Sequence, residues 1–186
     1  MKLSYSKRDA ARKSESKKLR REGSIPAVLY SRGESANNIV VEANAFTALL
    51  RKVIPGRLST TVFTLDIEGG KPKRAILKEI QYEPTTYDVI HLDFIELFDD
   101  HKINVKVPIE CVGAAECPGV KLGGVLRQVI RSFPVSCLPK DMPEAFQMDV
   151  RTMGMRDSRR LSDLTIPETL RPLVDLKEVA VAIVKR

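Results

Sequence analysis

Apolar and polar side chains alternate at Ile103, Val105, Val107 and Ile109 against Asn104, Lys106, Pro108 and Glu110, a period of two that fits a strand with one buried and one wet face. The same alternation recurs at Phe63-Leu65-Ile67, Ile90-Leu92-Phe94, Phe133-Val135-Cys137, Phe146-Met148-Val150 and Val179-Val181-Ile183, with Gly and Pro between the runs. Two further strands are expected at Pro26–Tyr30 and Ile39–Val41, around a Ser31-Arg32-Gly33 turn. Gly69-Gly70 separates the Phe63 run from an extended stretch at Ala75 to Ile80, which predicts a hairpin. Helical spacing is confined to short stretches. Phe46, Leu49, Leu50 and Val53 follow a candidate N-cap at Asn44 and stop at Pro55-Gly56. Ser14 to Gly23 reads as a polar helical turn, with Ser14 as N-cap, Gly23 at C′ and Leu19 as its lone apolar residue. The expected fold is therefore mainly β with a few helices. The charged stretch Phe98-Asp99-Asp100-His101, followed at once by a new strand pattern, divides it into domains 1–95 and 96–186. Gly119 to Gly124 has neither a P-loop ending nor the spacing of a dinucleotide fingerprint, and reads as a turn.

Charge is distributed as unevenly as hydrophobicity. The chain has 31 basic and 24 acidic residues, a net of +7, and Met1 to Phe94 contribute 17 against 11. Residues 1 to 24 alone hold nine basic and three acidic side chains, so the excess is local and points to a polyanionic partner. Lys13, Lys17, Lys18, Arg20 and Arg21 can meet successive phosphates, releasing counterions as they do so. The plainer alternative is a solvated helix face. On the Val89–Phe94 strand, His91 and Asp93 share the polar face about 7 Å apart, a two-residue strand repeat. An Asp carboxylate repels phosphate but accepts hydrogen bonds from base amino groups or a ribose 2′-OH, and so can report on sequence or RNA identity. A local His-Asp hydrogen bond on a solvent-facing strand is the alternative. Tyr30 and Tyr82 are candidate stacking residues, with a core or rim aromatic as the plainer alternative for each.

Other chemistries lack their residues. His91 and His101 lie near carboxylates, but no nucleophile elbow or Cys-His signature accompanies them. Cys111 and Cys117 miss the spacing of a zinc knuckle, and three cysteines make an odd set that suits a reducing cytosol. No stretch is apolar enough to span a membrane, and the basic start lacks the h-region of a secretory signal. Asp9, Glu15 and Glu22 argue against a transit peptide. The expectation is no enzyme, cofactor, metal, small-molecule substrate or membrane partner.

The run Lys17-Lys18-Leu19-Arg20-Arg21-Glu22-Gly23-Ser24-Ile25-Pro26-Ala27-Val28-Leu29-Tyr30, with Lys78-Glu79-Ile80-Gln81 and His91-Leu92-Asp93-Phe94, closely resembles the bacterial large-subunit ribosomal protein twenty-five family. Val107-Pro108-Ile109, Pro118-Gly119-Val120, Gly123-Gly124-Val125-Leu126, Cys137-Leu138-Pro139 and Ser162-Asp163-Leu164 resemble the C-terminal domain of its long form, also called general stress protein CTC. The resemblance implies an N-terminal β-barrel with a few helices and a separate β-rich C-terminal domain. It further implies binding to 5S ribosomal RNA in the central protuberance of the large subunit, beside neighbouring proteins there. By position in the family's motifs, Arg8, Lys13, Lys17, Lys18 and Arg20 would contact the RNA backbone, while Tyr30, Lys78, Gln81, His91 and Asp93 would line the RNA-facing sheet. The chain departs from the pattern at Arg12 and Ser14, which flank Lys13 where many members have Gly, at Ser31 in place of a frequent Gly, and at Tyr82 in place of a common basic residue. The expected role is a cytoplasmic, ribosome-associated structural protein. A stress-related interaction factor working through the second domain is the alternative.

Overall fold

The computed structural model describes residues 1–8, 13–33, 35–67 and 71–185. Its regular elements fall into two units, Met1–His101 and Lys102–Arg186. The first unit contains β1 (Lys2–Lys7), α1 (Lys13–Arg21), β2 (Ser24–Tyr30), β3 (Asn37–Glu42), α2 (Ala43–Leu50), β4 (Val62–Asp66), β5 (Lys73–Tyr82) and β6 (Val89–Glu96). These strands form a closed barrel in the order β1-β3-β2-β6-β5-β4, with β4 pairing back onto β1 in parallel.

Alternation decides what fills it. Leu3 and Tyr5, Ala27 and Leu29, Ile39 and Val41, Phe63 and Leu65, and Leu92 and Phe94 all point inward and are buried. Phe63 lies at the centre, edge-on to Phe94 at 5.9 Å between centroids and tilted against Phe46 of α2 at 6.5 Å. The expected hairpin forms, with Val62 opposite Ile76 and Leu65 opposite Lys73. Gly69-Gly70 lie outside the described residues.

The helix boundaries differ from the sequence expectation for identifiable reasons. Asn44 does not cap α2, because β3 runs directly into it at Glu42 and the Ala43 amide donates to the Gly23 carbonyl at 3.0 Å. That backbone contact replaces a side-chain cap. The helix ends at Leu50 as Lys52 and Val53 donate three residues back, short of the Val53 limit that hydrophobic spacing suggested. Likewise α1 begins at Lys13, so Ser14 lies within its first turn and is not the N-cap. Gly23 takes the left-handed conformation expected at C′, with φ +79°.

The second unit is β-rich. It contains β7 (Ile103–Val112), α3 (Pro118–Lys121), β8 (Gly124–Gln128), β9 (Ser132–Cys137), β10 (Phe146–Asp149), β11 (Ser158–Arg160), β12 (Arg171–Pro172) and β13 (Val179–Lys185). Its sheets run β10-β7-β9-β12 and β11-β13-β8. Phe133 stacks on Phe146 at 5.1 Å within its core. The segment read as a Gly turn contains a single helical turn, Pro118–Lys121. Gly119 is there for space: a Cβ would lie 2.7 Å from the Gly154 carbonyl oxygen. The three cysteines are free, and burial pushes the Cys111 and Cys137 thiols up, with Asp141 adding to the effect at Cys137. Among the described residues, no helix is long and apolar enough to cross a membrane.

Candidate nucleic-acid interface

The face centres on β6. Because Leu92 and Phe94 point into the barrel, His91 and Asp93 point out. Opposite them, β2 places Val28 beside Asp93, and β5 places Gln81 beside His91 and Glu79 beside Asp93. Tyr30 is opposite Ile95, two residues further along the same outward row.

Lys78 joins this face through an irregularity. Ala75 and Leu77 are inward, but the next residue packed on the core is Ile80. The register shifts between Leu77 and Glu79, leaving Lys78 as an extra residue on β5. Such a bulge re-aims side chains, so both Lys78 and Glu79 leave the core side. The Lys78 ammonium sits 5.8 Å from the centroid of the Tyr30 ring, a cation–π arrangement that holds the two together. Tyr30 remains 41% exposed, enough to offer its ring to a base.

His91 and Asp93 do more than share a face. His91 Nδ1 lies 2.8 Å from Asp93 Oδ1, and the two side chains are 22% and 18% exposed. The contact is an ion pair whenever the imidazole is protonated. Asp93 Oδ1 is buried, and beyond this contact with the imidazole no hydrogen-bond donor meets it among the described residues. A buried acceptor without a donor is costly, and an amino or hydroxyl donor from RNA would satisfy it. The local His-Asp contact and the RNA-reading role, posed as alternatives from the sequence, are thus compatible.

The cationic helix flanks one end of this face. Lys17, Lys18, Arg20 and Arg21 are exposed on α1. Arg20 Nε donates to the Ile90 carbonyl at 3.0 Å, pinning the helix immediately beside His91. Lys18 and Glu22 form a loose exposed pair at 3.8 Å, which water screens. Arg8 has a structural contact: its Nη1 donates to Ser16 Oγ at 3.2 Å, and its amide donates to the Asn38 carbonyl, tying the end of β1 to α1 and the start of β3. Lys13 opens α1, but its side chain and the whole of Arg12 lie outside the described residues.

At the opposite end, Ser31 Oγ donates to Glu96, which also accepts Lys73 Nζ at 2.8 Å. This pairing offsets the Glu96 charge near Tyr30. Burial pushes the Tyr5 hydroxyl up, against the pull of Lys73, while Glu96 adds to the rise. Tyr82 stands exposed where β5 ends. The sequence-predicted residues therefore gather in two adjoining groups: Tyr30, Lys78, Gln81, His91 and Asp93 on the sheet, and Lys17, Lys18, Arg20 and Arg21 on the helix. Sequence reasoning missed Glu79, although the three-residue step from Leu77 to Ile80 was the signal of a bulge.

Comparison with known proteins agrees with both units. Residues 3–94 match the family described as the ribosomal L25p family, and residues 102–186 match the family described as ribosomal protein TL5, C-terminal domain. Together the two matches, one over the barrel and its cationic helix and one over the second β unit, make this a ribosomal protein of two-domain type. Proteins named large ribosomal subunit protein bL25 from Chlamydia trachomatis serovar L2 and Chlamydia abortus are each 50% identical to it over 186 residues, covering 100% of both chains. The one from Chlamydia pneumoniae is 48% identical over the same span. The chain belongs to the bL25 family of ribosomal proteins, in its long form. Its relatives are structural ribosomal proteins and not enzymes.

Proposed function

We propose that the chain is a structural constituent of the large ribosomal subunit that binds 5S ribosomal RNA in the central protuberance, beside the neighbouring proteins there, and so supports translation at the cytoplasmic ribosome. The division of labour follows the two domains expected from the sequence: residues 1–95 hold the RNA, and residues 96–186 form a separate C-terminal domain. One observation carries the reading. A cationic helix is pinned through Arg20 to the strand whose outward side presents His91 and Asp93. The helix supplies sequence-independent phosphate attraction, and the strand supplies acceptors that phosphate cannot satisfy.

The test is equilibrium binding of the full chain to 5S RNA across a salt series. Each neutralised phosphate contributes a slope of about 0.7–0.9 in log affinity against log salt. Four helix cations therefore predict an overall slope of about −3. An affinity indifferent to salt would overturn the mechanism.

The strand's share is separable. Asp93→Ala should reduce preference for 5S RNA over an unrelated structured RNA by about tenfold, the scale of one lost base-edge recognition. Affinity for the unrelated RNA should stay level or rise, because the variant removes a negative charge. Equal losses on both RNAs would remove Asp93 from the recognition surface.

A further inference from the structure

The loop joining β5 to β6, residues 83–88, contains a residue in an uncommon backbone conformation. Tyr87 has φ +59°, in the left-handed region that a side chain with a Cβ disfavours. Its ring is 78% exposed, so packing does not offset that cost. The conformation is imposed from around it. The Tyr87 amide donates to the Glu83 carbonyl at 2.9 Å, the Glu83 amide to the Asp88 carbonyl at 2.8 Å, and the Asp88 amide to Thr86 Oγ1 at 3.4 Å. An aromatic ring is thus held out in water by a built loop. Strain of this kind, where the surroundings over-determine it, marks sites of function.

The position of the loop indicates what the ring meets. Glu83, Thr86 and Asp88 line a crevice of about 320 Å³ together with Arg20, Thr47 and Ile90. Arg20 is oriented there by its Nε bond to Ile90, and the other guanidinium N–H groups remain to meet a phosphate at the rim. Glu83 and Asp88 bring carboxylates to the crevice lining, which repel phosphate and can only accept hydrogen bonds. Such a lining suits the donor-bearing edge of a base carrying an exocyclic amino group, as guanine, adenine and cytosine do and uracil does not.

We infer that this loop binds one unpaired, amino-bearing nucleotide of the RNA, with its base stacked on Tyr87, its phosphate against Arg20 and its amino edge turned toward Glu83 and Asp88. The inference rests on the RNA-binding reading and extends it beyond the His91 and Asp93 face, from which the loop is removed by two residues at Gln81 on β5 and by three at His91 on β6.

The decisive variant is Tyr87→Gly in the full chain, with 5S RNA as the probe. Glycine accepts a positive φ freely, so the unfolding midpoint should hold or rise. RNA affinity should fall about tenfold with the loss of one stacked base, and Tyr87→Phe should keep it. Opposite signs in stability and binding are what a merely structural tyrosine would not give; a parallel loss of both would overturn the inference. Wild-type affinity in Tyr87→Gly would overturn it while leaving the RNA-binding reading intact, whereas no binding by the unsubstituted chain would overturn both. A second measurement uses the absence of tryptophan from this chain. In Tyr87→Trp the single indole should be quenched by saturating 5S RNA, and unchanged emission with RNA bound would exclude stacking there.

Discussion

Replacing Lys17, Lys18, Arg20 and Arg21 together by glutamine is expected to weaken 5S RNA binding by about a thousandfold at about 0.1 M salt. The figure follows from counterion release, in which four lost phosphate contacts remove a slope of about 3 and each decade of salt below about 1 M multiplies the difference. The variant and the unsubstituted chain should therefore converge as salt approaches about 1 M, where the released counterions gain little entropy. Titrations at several salt concentrations measure both the loss and the convergence. A deficit that persisted undiminished at high salt would mean that the variant had lost shape and not charge. Arg20 is the position where that distinction matters, since it also holds α1 to the Ile90 carbonyl. The triple variant Lys17→Gln, Lys18→Gln, Arg21→Gln keeps the anchor and should retain about three-quarters of the effect on a logarithmic scale. A triple variant with intact affinity would show that RNA does not touch this helix.

The second large effect concerns the barrel interior. Phe94→Ala should cost about 3–5 kcal/mol, the range for removing a fully buried aromatic and leaving part of its cavity. Phe94 is wholly buried and meets Phe63 edge-on, so Phe63 on β4, which in turn packs on Phe46 of α2, loses a packing partner as well. Domains of this size have about 5–15 kcal/mol of stability in total, so a large part of the margin disappears. The melting temperature of the first unit should fall by more than about 10 °C. Denaturant titration gives the free energy directly. A change below about 1 kcal/mol would contradict a closed, filled barrel. Phe94→Leu should recover much of the loss, because it keeps apolar volume at the same inward position.

Much of this architecture is written in local side-chain periodicity, and the parts that are not share a cause. The outward placement of His91 and Asp93 was legible because Leu92 and Phe94 flank them at a strict period of two. Glu79 was not, because the bulge at Lys78 changes the phase of β5 and sends two consecutive residues outward. The anchor of α1 escaped for another reason: Arg20 is held by the Ile90 carbonyl, a backbone group without a side-chain signature. Strand β1 shows the same limit. Leu3 and Tyr5 alternate with Ser4 and Ser6, yet so short a run beside a basic segment reads as charge, and it becomes a strand because β3 and β4 pair with it on either side. The cap assigned to Asn44 failed similarly, since the carbonyl of Gly23, distant in sequence, does the work of a side chain. Local pattern determines which face is apolar; partners far along the chain determine where elements begin and how charged groups are aimed.

Strand β1 also acts as the clasp of the ring. It pairs with β3, where Tyr5 is opposite Val41, and with β4, where Leu3 is opposite Leu65, so it finds its place only after both later strands exist. Closure of this kind depends on pairings between distant residues, which makes assembly slower than in a helical bundle. It also leaves the finished barrel without a bare rim of unpaired N–H and C=O groups on which another molecule could grow a sheet. An isolated copy of the chain is thereby shielded from its own kind: opening the clasp would expose β3 and β4 together and make their edges a template for aggregation.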